Sequence, residues 1–457
     1  MSKYRFNISD YHAIENADIL VDGITVLAGP NGSGKSTISK WLYYMVDVAT
    51  RFDEYVGKGV NDEFKHSLQI LARAIREIWG YRSSRSEILT LSANIDALKK
   101  EINVGAAVDE VAEKYNSIVA EFTEQVRPEF LSDDVFVSRK VRVINYLKQL
   151  IEDSDNIETF DNFEKKMFQQ TDKMLEDWEK RLSMRSIKDV YSFIEEYLRE
   201  DDVAPESMQL WEDDVNIISE ESLGSLFNIE RAIYIDTPMA LNAKNLADNV
   251  FLQRLHSNMT HSLGRTLDKS KMLLLRIARL LNGKISQSDS LLGETELYYE
   301  RKDEHLKLPV EKIATGMKTF AYLYQLIKNG YLDDKTILMI DEPEVHLHPQ
   351  WIVEYARLLV LIHKTLGTKL ILASHDPDFI AAIKAIAKRE EVLEETNFYI
   401  SSSEEQECSY RYNFKWLGKD IEPIFESFNI ALERSNYSAP PMGMSNRLTV
   451  VLQQELH

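Results

Sequence analysis

An α/β fold whose two halves are parted by an α-helical insertion is predicted by three features of the sequence. Apolar runs of strand length lie near the start of the chain and again beyond residue 226. A glycine-rich loop joins one of these runs to a stretch of helical spacing. From about Arg51 to about Leu226 the strand runs give way to long helical patterns, rich in charge and poor in glycine. Apolar residues recur every two positions on a half-buried strand and every three or four on a helix face, which separates the regions.

Taken in order, residues 4–8 alternate, 13–21 follow, and 24–28 form a compact apolar run suited to a strand buried on both faces. The stretch after Ala28 opens a helix with Ile38, Trp41, Leu42 and Met45 on one side. In the insertion, Ile88, Leu91, Ile95, Leu98 and Ile102 step by three and four. Residues 103–105 interrupt them, and Val108, Val111, Tyr115, Ile118 and Phe122 resume the pattern. Each run covers about two heptads, which predicts a short helical hairpin and falls well below a sustained coiled coil. A further helix carries Phe163, Met167, Met174 and Trp178. Residues 1–50 and 227–457 are therefore expected to form one α/β domain, with residues 51–226 inserted in it. A free-standing helical domain is the alternative. Strand patterns return at 229–235, 296–301, 306–312, 336–340 and 369–373, with a helix over 350–366 before the last. Residues 397–401 and 409–414 flank the polar turn 402–406 as a hairpin would.

Gly29-Pro30-Asn31-Gly32-Ser33-Gly34-Lys35-Ser36-Thr37 matches G-x-x-x-x-G-K-[ST] in full, between an apolar strand and an amphipathic helix. Glycines let backbone N–H groups turn inward around an anionic phosphate, and the N-terminal end of the helix adds positive potential. Lys35 is long enough to reach β- and γ-phosphates as a point charge, and the Ser36 hydroxyl can ligate Mg2+. Downstream, residues 336–340 are an apolar run that ends in Asp341 and Glu342. A strand buried in a parallel sheet carries no charge along its length, so acids at its carboxyl end face the ligand crevice. Asp341 is the expected holder of Mg2+, and Glu342 the expected general base for an attacking water. Residues 369–373 are a second such run, and His375 just beyond it is placed to touch the γ-phosphate. Glu344, His346 and His348 invite a metal-site reading, but spacing fixes no further ligand. A structural or dimer-contact turn accounts for them better.

Acidic residues number 74 against 54 basic, a net charge of −20. That balance argues against a surface coated for nucleic acid and leaves only a local basic groove open. The one cysteine, Cys408, can form no internal disulfide, which fits a reducing compartment. No apolar run of about 18 residues occurs, and residues 1–10 lack the apolar core of a signal peptide. A cytoplasmic protein without a membrane span is expected.

Three stretches together resemble ABC-type ATPase heads: residues 13–37, the run Asp341-Glu342-Pro343-Glu344-Val345-His346-Leu347-His348-Pro349, and Ser374-His375-Asp376. The sequence is most similar to the OLD-family, RecF and SMC-like branch, and to related ATPases of bacterial anti-phage defence. The Glu-Pro-Glu-x-His-Leu-His-Pro continuation is the specific part. The resemblance covers residues 1–49 and 229–379. It implies an ABC-type P-loop head split by a helical insertion, with ATP as the nucleotide, since the loop reads phosphates and not bases. Tyr11 and His12 are aromatic candidates for stacking on adenine.

The family also implies a signature loop that reaches across a head dimer to the partner's γ-phosphate. Ala314-Thr315-Gly316-Met317-Lys318 stands at that place, with Thr315 and Gly316 as candidate binding residues, although it departs from the usual Ser-Gly-Gly core. OLD proteins usually add a Toprim nuclease after the head, and residues 376–457 are too few for one. The zinc-hook cysteine pair of SMC-like repair proteins is also missing. The resemblance thus implies a switch that forms a homodimer or higher assembly through ATP-bridged heads and controls a separately encoded effector, a nuclease or toxin. A DNA-repair or DNA-tethering ATPase is the alternative, weighed against by the acidic stretch 101–121. A nucleotide-binding scaffold that hydrolyses little is a third reading, opposed by Lys35, Asp341 and Glu342.

Overall fold

The computed structural model describes residues 2–79, 86–131, 137–151, 162–195, 203–236, 250–264, 268–289, 295–301, 306–403 and 411–427. Cys408 and residues 404–406 of the expected turn lie outside them. The strands are β1 (Tyr4–Tyr11), β2 (Ile14–Val21), β3 (Ile24–Ala28), β4 (Ser207–Glu212), β5 (Val215–Asn216), β6 (Arg231–Ile235), β7 (Lys284–Asp289), β8 (Thr295–Arg301), β9 (Leu306–Pro309), β10 (Thr336–Asp341), β11 (Lys369–Ser374), β12 (Thr396–Ser402) and β13 (Tyr412–Gly418). The helices are α1 (Lys35–Trp79), α2 (Ser86–Val104), α3 (Val108–Leu131), α4 (Val137–Leu147), α5 (Phe163–Met184), α6 (Ile187–Ile194), α7 (Val250–Thr260), α8 (Lys271–Leu281), α9 (Thr315–Lys328), α10 (Pro349–Leu366) and α11 (Pro377–Arg389). They fall into two units, Met1–Thr50 with Ile194–His457, and Arg51–Phe193.

The first unit is mixed α/β. Ten strands make one sheet in the order β5-β4-β1-β2-β13-β12-β3-β11-β10-β6, and β7-β8-β9 make a second, antiparallel sheet. Within the large sheet β12, β3, β11, β10 and β6 run parallel. β3, β10 and β11 are buried at every residue, and the consecutive apolar residues Val26–Ala28, Ile337–Ile340 and Leu370–Ala373 are what strands covered on both faces require. The core gathers Val26, Leu338, Ile340 and Leu372 with Phe320 and Leu323 of α9 and Leu358 and Leu359 of α10. β12 and β13 form the antiparallel pair expected near the end of the chain. The strand expected over 306–312 stops at Pro309, and Val310–Lys312 is a 3-10 turn.

The C-terminal limit of the expected helical insertion, residue 226, is corrected. The helical unit closes at Phe193, and β4 pairs antiparallel along β1. Met208 and Leu210 face inward, and the third inward position is a carboxylate, Glu212. Glu212 accepts hydrogen bonds from the Tyr4 hydroxyl (2.7 Å), the N–H groups of Phe227 (2.7 Å) and Asn228 (2.9 Å), and Asn228 Nδ2 (2.8 Å). A buried carboxylate satisfied four times over is tolerated in a sheet, but it breaks the hydrophobic alternation by which such a strand is recognised.

The second unit is helical. Ile88, Leu91, Ile95, Leu98 and Ile102 of α2 pack with Val108, Val111, Tyr115, Ile118 and Phe122 of α3 in one apolar cluster, the predicted hairpin. Gly105 turns the chain between them at φ +89°. Phe163 and Met167 of α5 close over the same cluster. α1 breaks at Arg51 (φ −124°, ψ 22°), where its backbone leaves helical geometry. Among the described residues no helix is long and apolar enough to cross a membrane.

Candidate functional site

The loop between β3 and α1 is held at its two ends and open at its crown. A Cβ on Gly29 would stand 1.8 Å from Ser401 Oγ, and one on Gly34 (φ +96°) would stand 2.6 Å from Ile14 Cγ1. Only glycine lets the backbone run this close to β12 and β2. At Gly32 a Cβ would meet nothing within 4 Å, and Asn31 and Gly32 are exposed. The Gly34 carbonyl accepts the first helical bond of α1, from Ile38 N (3.0 Å), so Lys35, Ser36 and Thr37 sit in its first turn. Lys35 is 6 % exposed, and its ammonium donates to the carbonyls of Gly29 (2.9 Å) and Pro30 (2.8 Å). Burial lowers the Lys35 pKa, against the opposing pull of Asp341, Glu342 and Glu344. Ser33 is fully buried, its hydroxyl without a hydrogen-bond partner.

Asp341 ends β10 with its side chain buried. Oδ2 accepts a 2.6 Å hydrogen bond from the Tyr234 hydroxyl, while Oδ1 makes no hydrogen bond of normal geometry. Burial pushes the Asp341 pKa up to about 6; the Tyr234 hydroxyl, the nearby Ser36 hydroxyl and Lys40 counter the rise, and Asp236 adds to it. Burial and the two aspartates together push the Tyr234 hydroxyl well above its ordinary value. Glu342 stands in left-handed backbone at φ +46°, its N–H bonded to the Ala373 carbonyl (2.9 Å), and its side chain is 39 % exposed.

Glu344 reaches across to the end of β11. Its Oε1 accepts from the Ser374 hydroxyl (2.9 Å) and from His375 N (3.0 Å). His375 Nδ1 lies 3.2 Å from the same oxygen, out of line for a hydrogen bond, and 3.9 Å from Glu342 Oε1. Burial raises the Glu344 pKa against these hydrogen bonds. The three residues of the metal-site reading are thus separately engaged: His348 caps α10 by accepting from Gln350 N (3.4 Å), and His346 turns the chain at φ +65°. Thr315 and Gly316 open α9 beside this turn, where a Cβ on Gly316 would stand 3.2 Å from the His346 carbonyl and 3.3 Å from Leu347 Cδ2. Tyr11 and His12 occupy the β1–β2 turn, with Tyr11 edge-on to Trp41 at 5.7 Å.

The structure therefore groups Lys35, Ser36, Asp341, Glu342 and His375 at the carboxyl ends of β3, β10 and β11, and places Thr315 and Gly316 against the turn after Glu344. Sequence reasoning assigned nothing to Tyr234 and Asp236. The signal was present: Arg-Ala-Ile-Tyr-Ile-Asp, ending at Asp236, repeats the apolar-run-then-aspartate form of the residues ending at Asp341.

The family described as AAA ATPase domain matches residues 3–380. No curated protein matches the sequence. Similar solved structures include the Smc head domain of Pyrococcus furiosus bound to the C-terminal domain of ScpA, at 12 % identity, covering 95 % of this chain and 100 % of that one with a TM-score of 0.32. The SMC head domain from Thermotoga maritima is similar at 9 % identity over 91 % and 99 % of the two chains, with a TM-score of 0.31. An ATP-binding cassette of an ABC transporter in its ADP conformation gives 9 %, 94 % and 99 %, and 0.33. Likenesses this distant carry no functional argument.

Proposed function

The chain belongs to the AAA ATPase domain family, and on that premise we propose that it binds ATP with Mg2+ at the Gly29–Thr37 loop and hydrolyses it with Glu342 as general base. One observation carries this reading: the neighbouring parallel strands β3, β11 and β10 bring the buried Lys35 that follows β3 to the same sheet edge as Asp341 and Glu342 at the end of β10, about 300 residues on. The residues fit a magnesium triphosphate, because Asp341 Oδ1 is a buried oxygen without a hydrogen-bond partner near a hydroxyl, and the loop is open at Gly32. Ser36 and Asp341 would hold the ion, which when bound supplies positive charge against the phosphate oxygens.

The protein's own groups do the rest. Backbone N–H groups of residues 31–36 and the Lys35 ammonium bind and orient the phosphates. Glu342 takes a proton from the water whose oxygen attacks the γ-phosphorus, and the bond to the β–γ bridging oxygen breaks. His375, beside Glu342 and Glu344, contacts the γ-phosphate. Lys35→Ala is expected to weaken binding of a fluorescent ATP analogue by about 10- to 100-fold, the size of a lost charge-assisted contact. Parental affinity in that titration would remove the loop from the mechanism.

The reading extends to assembly. Thr315 and Gly316, with the N-terminal amides of α9, make an anion-binding end, and the resemblance to ABC-type heads supports its use on the nucleotide of a second copy. Control of a separately encoded effector, including a role in anti-phage defence, rests on the motif resemblance, and the ATP-bridged dimer is the state expected to engage it. The single cysteine in 457 residues supports a reducing, cytoplasmic setting.

A further inference from the structure

A carboxylate offers two chemically equal oxygens, and its terminal torsion is broad and nearly two-fold. At Asp341 the equality is broken by one contact. The Tyr234 phenol has a single proton; Asp341 Oδ2 lies 2.6 Å from it, and Asp236 Oδ1 at 3.3 Å is the poorer acceptor. Tyr234 is 3 % exposed and Asp341 2 %. Tyr234 pairs across from Met339 on parallel strands, two residues before Asp341 and so on the same face of the sheet.

The ring is itself fixed. Tyr43 of α1 lies 6.0 Å from it, Phe251 of α7 lies 5.1 Å from it, and Lys40 Nζ stands 5.9 Å over it. Tyr43 follows Ser36 by two helical turns, so α1 carries both the candidate hydroxyl ligand and a seat for the ring.

We propose that Tyr234 is a positioning residue for magnesium: its hydroxyl holds Asp341 Oδ2 so that Oδ1 is left for the ion, with Tyr43 and Phe251 fixing the angle. The inference rests on the assignment of Ser36 and Asp341 as the magnesium ligands. Groups that orient a metal ligand typically carry 10- to 100-fold in metal affinity.

The test is Tyr234→Phe, which keeps the ring and removes the hydroxyl. Binding of a fluorescent ATP analogue is measured in excess EDTA and across a Mg2+ titration. The EDTA affinity should stay within about twofold of the parent, while the Mg2+ concentration giving half the gain rises roughly 10- to 100-fold. Hydrolysis lost at low Mg2+ should return at high Mg2+, which a merely damaged fold would not do. Should Tyr234→Phe not fold, Phe251→Leu loosens the seat of the ring and should raise the same half-point by a smaller factor. An unchanged half-point, or an affinity loss equal in EDTA and in Mg2+, overturns the role of Tyr234 alone. A parent protein that gains nothing from Mg2+ overturns the magnesium assignment and this inference with it.

Discussion

A carboxylate that is 2 % exposed, with one oxygen on a phenol and the other on no hydrogen bond of normal geometry, is costly to ionise. Burial lifts Asp341 from the ordinary 3.8 to about 6, so between those values the folded chain binds more protons than the unfolded one. Stability therefore falls as pH rises through that window, by on the order of 3 kcal/mol from this group once both values are passed. Asp341→Asn should accordingly melt a few degrees above the parent at pH 8 in EDTA, with the gap closing as pH is lowered toward 5. Calorimetry or a dye-based melt across pH measures it; a gap that does not change with pH would contradict the cause. The residue was legible from its place after an apolar run. The strand of its partner was legible too, but their pairing was not, because Tyr234 lies 107 positions away and only strand order brings it alongside.

At the scale of elements, local pattern and three-dimensional role agree best where one face is buried and the other free. α2 and α3 are such elements, and every apolar residue at their three-four spacing is in the core. Leu91→Ala, at a fully buried position, should cost about 2–5 kcal/mol. Gly105→Ala should cost about 1–2 kcal/mol, since φ is +89° but an added Cβ meets nothing within 4 Å, leaving backbone strain as the whole effect. Urea unfolding followed by hydrogen exchange over residues 86–131 separates the two; equal costs would mean the glycine is also sterically required. β3, β10 and β11 were readable for the opposite reason, their apolar residues running consecutively, as in Ile337–Ile340 and Leu370–Ala373. β4 was not, because a carboxylate fills one of its inward positions, nor was β7, whose Lys-Ile-Ser-Gln-Ser-Asp is polar around a single buried isoleucine, Ile285. The loop and the two acids could be read as a candidate site because phosphate chemistry constrains residue type, whereas the network of Glu344, Ser374 and His375 depends on which strand ends become neighbours.

For the whole molecule, the proposed assembly would have to form against like charge, a net −20 on each chain. Glu342→Gln should bind ATP without turning it over and pass from monomer to dimer in light scattering, with the parent dimerising only transiently. Added salt up to about 0.15 M should favour the dimer, because the screening length drops to about 8 Å and self-repulsion weakens. Binding to DNA would show the reverse dependence, weakening steeply with salt. A Glu342→Gln protein that stays monomeric with ATP at every salt concentration would leave the ATP-bridged assembly without support.

The left-handed backbone at Glu342 sets folding at odds with the proposed chemistry over one position. Glutamate has no intrinsic liking for that conformation, whereas glycine and asparagine adopt it readily. A sequence chosen purely for thermal endurance would drift toward one of those two and lose its acid, so under the proposed role the glutamate marks where this chain would trade robustness for reactivity.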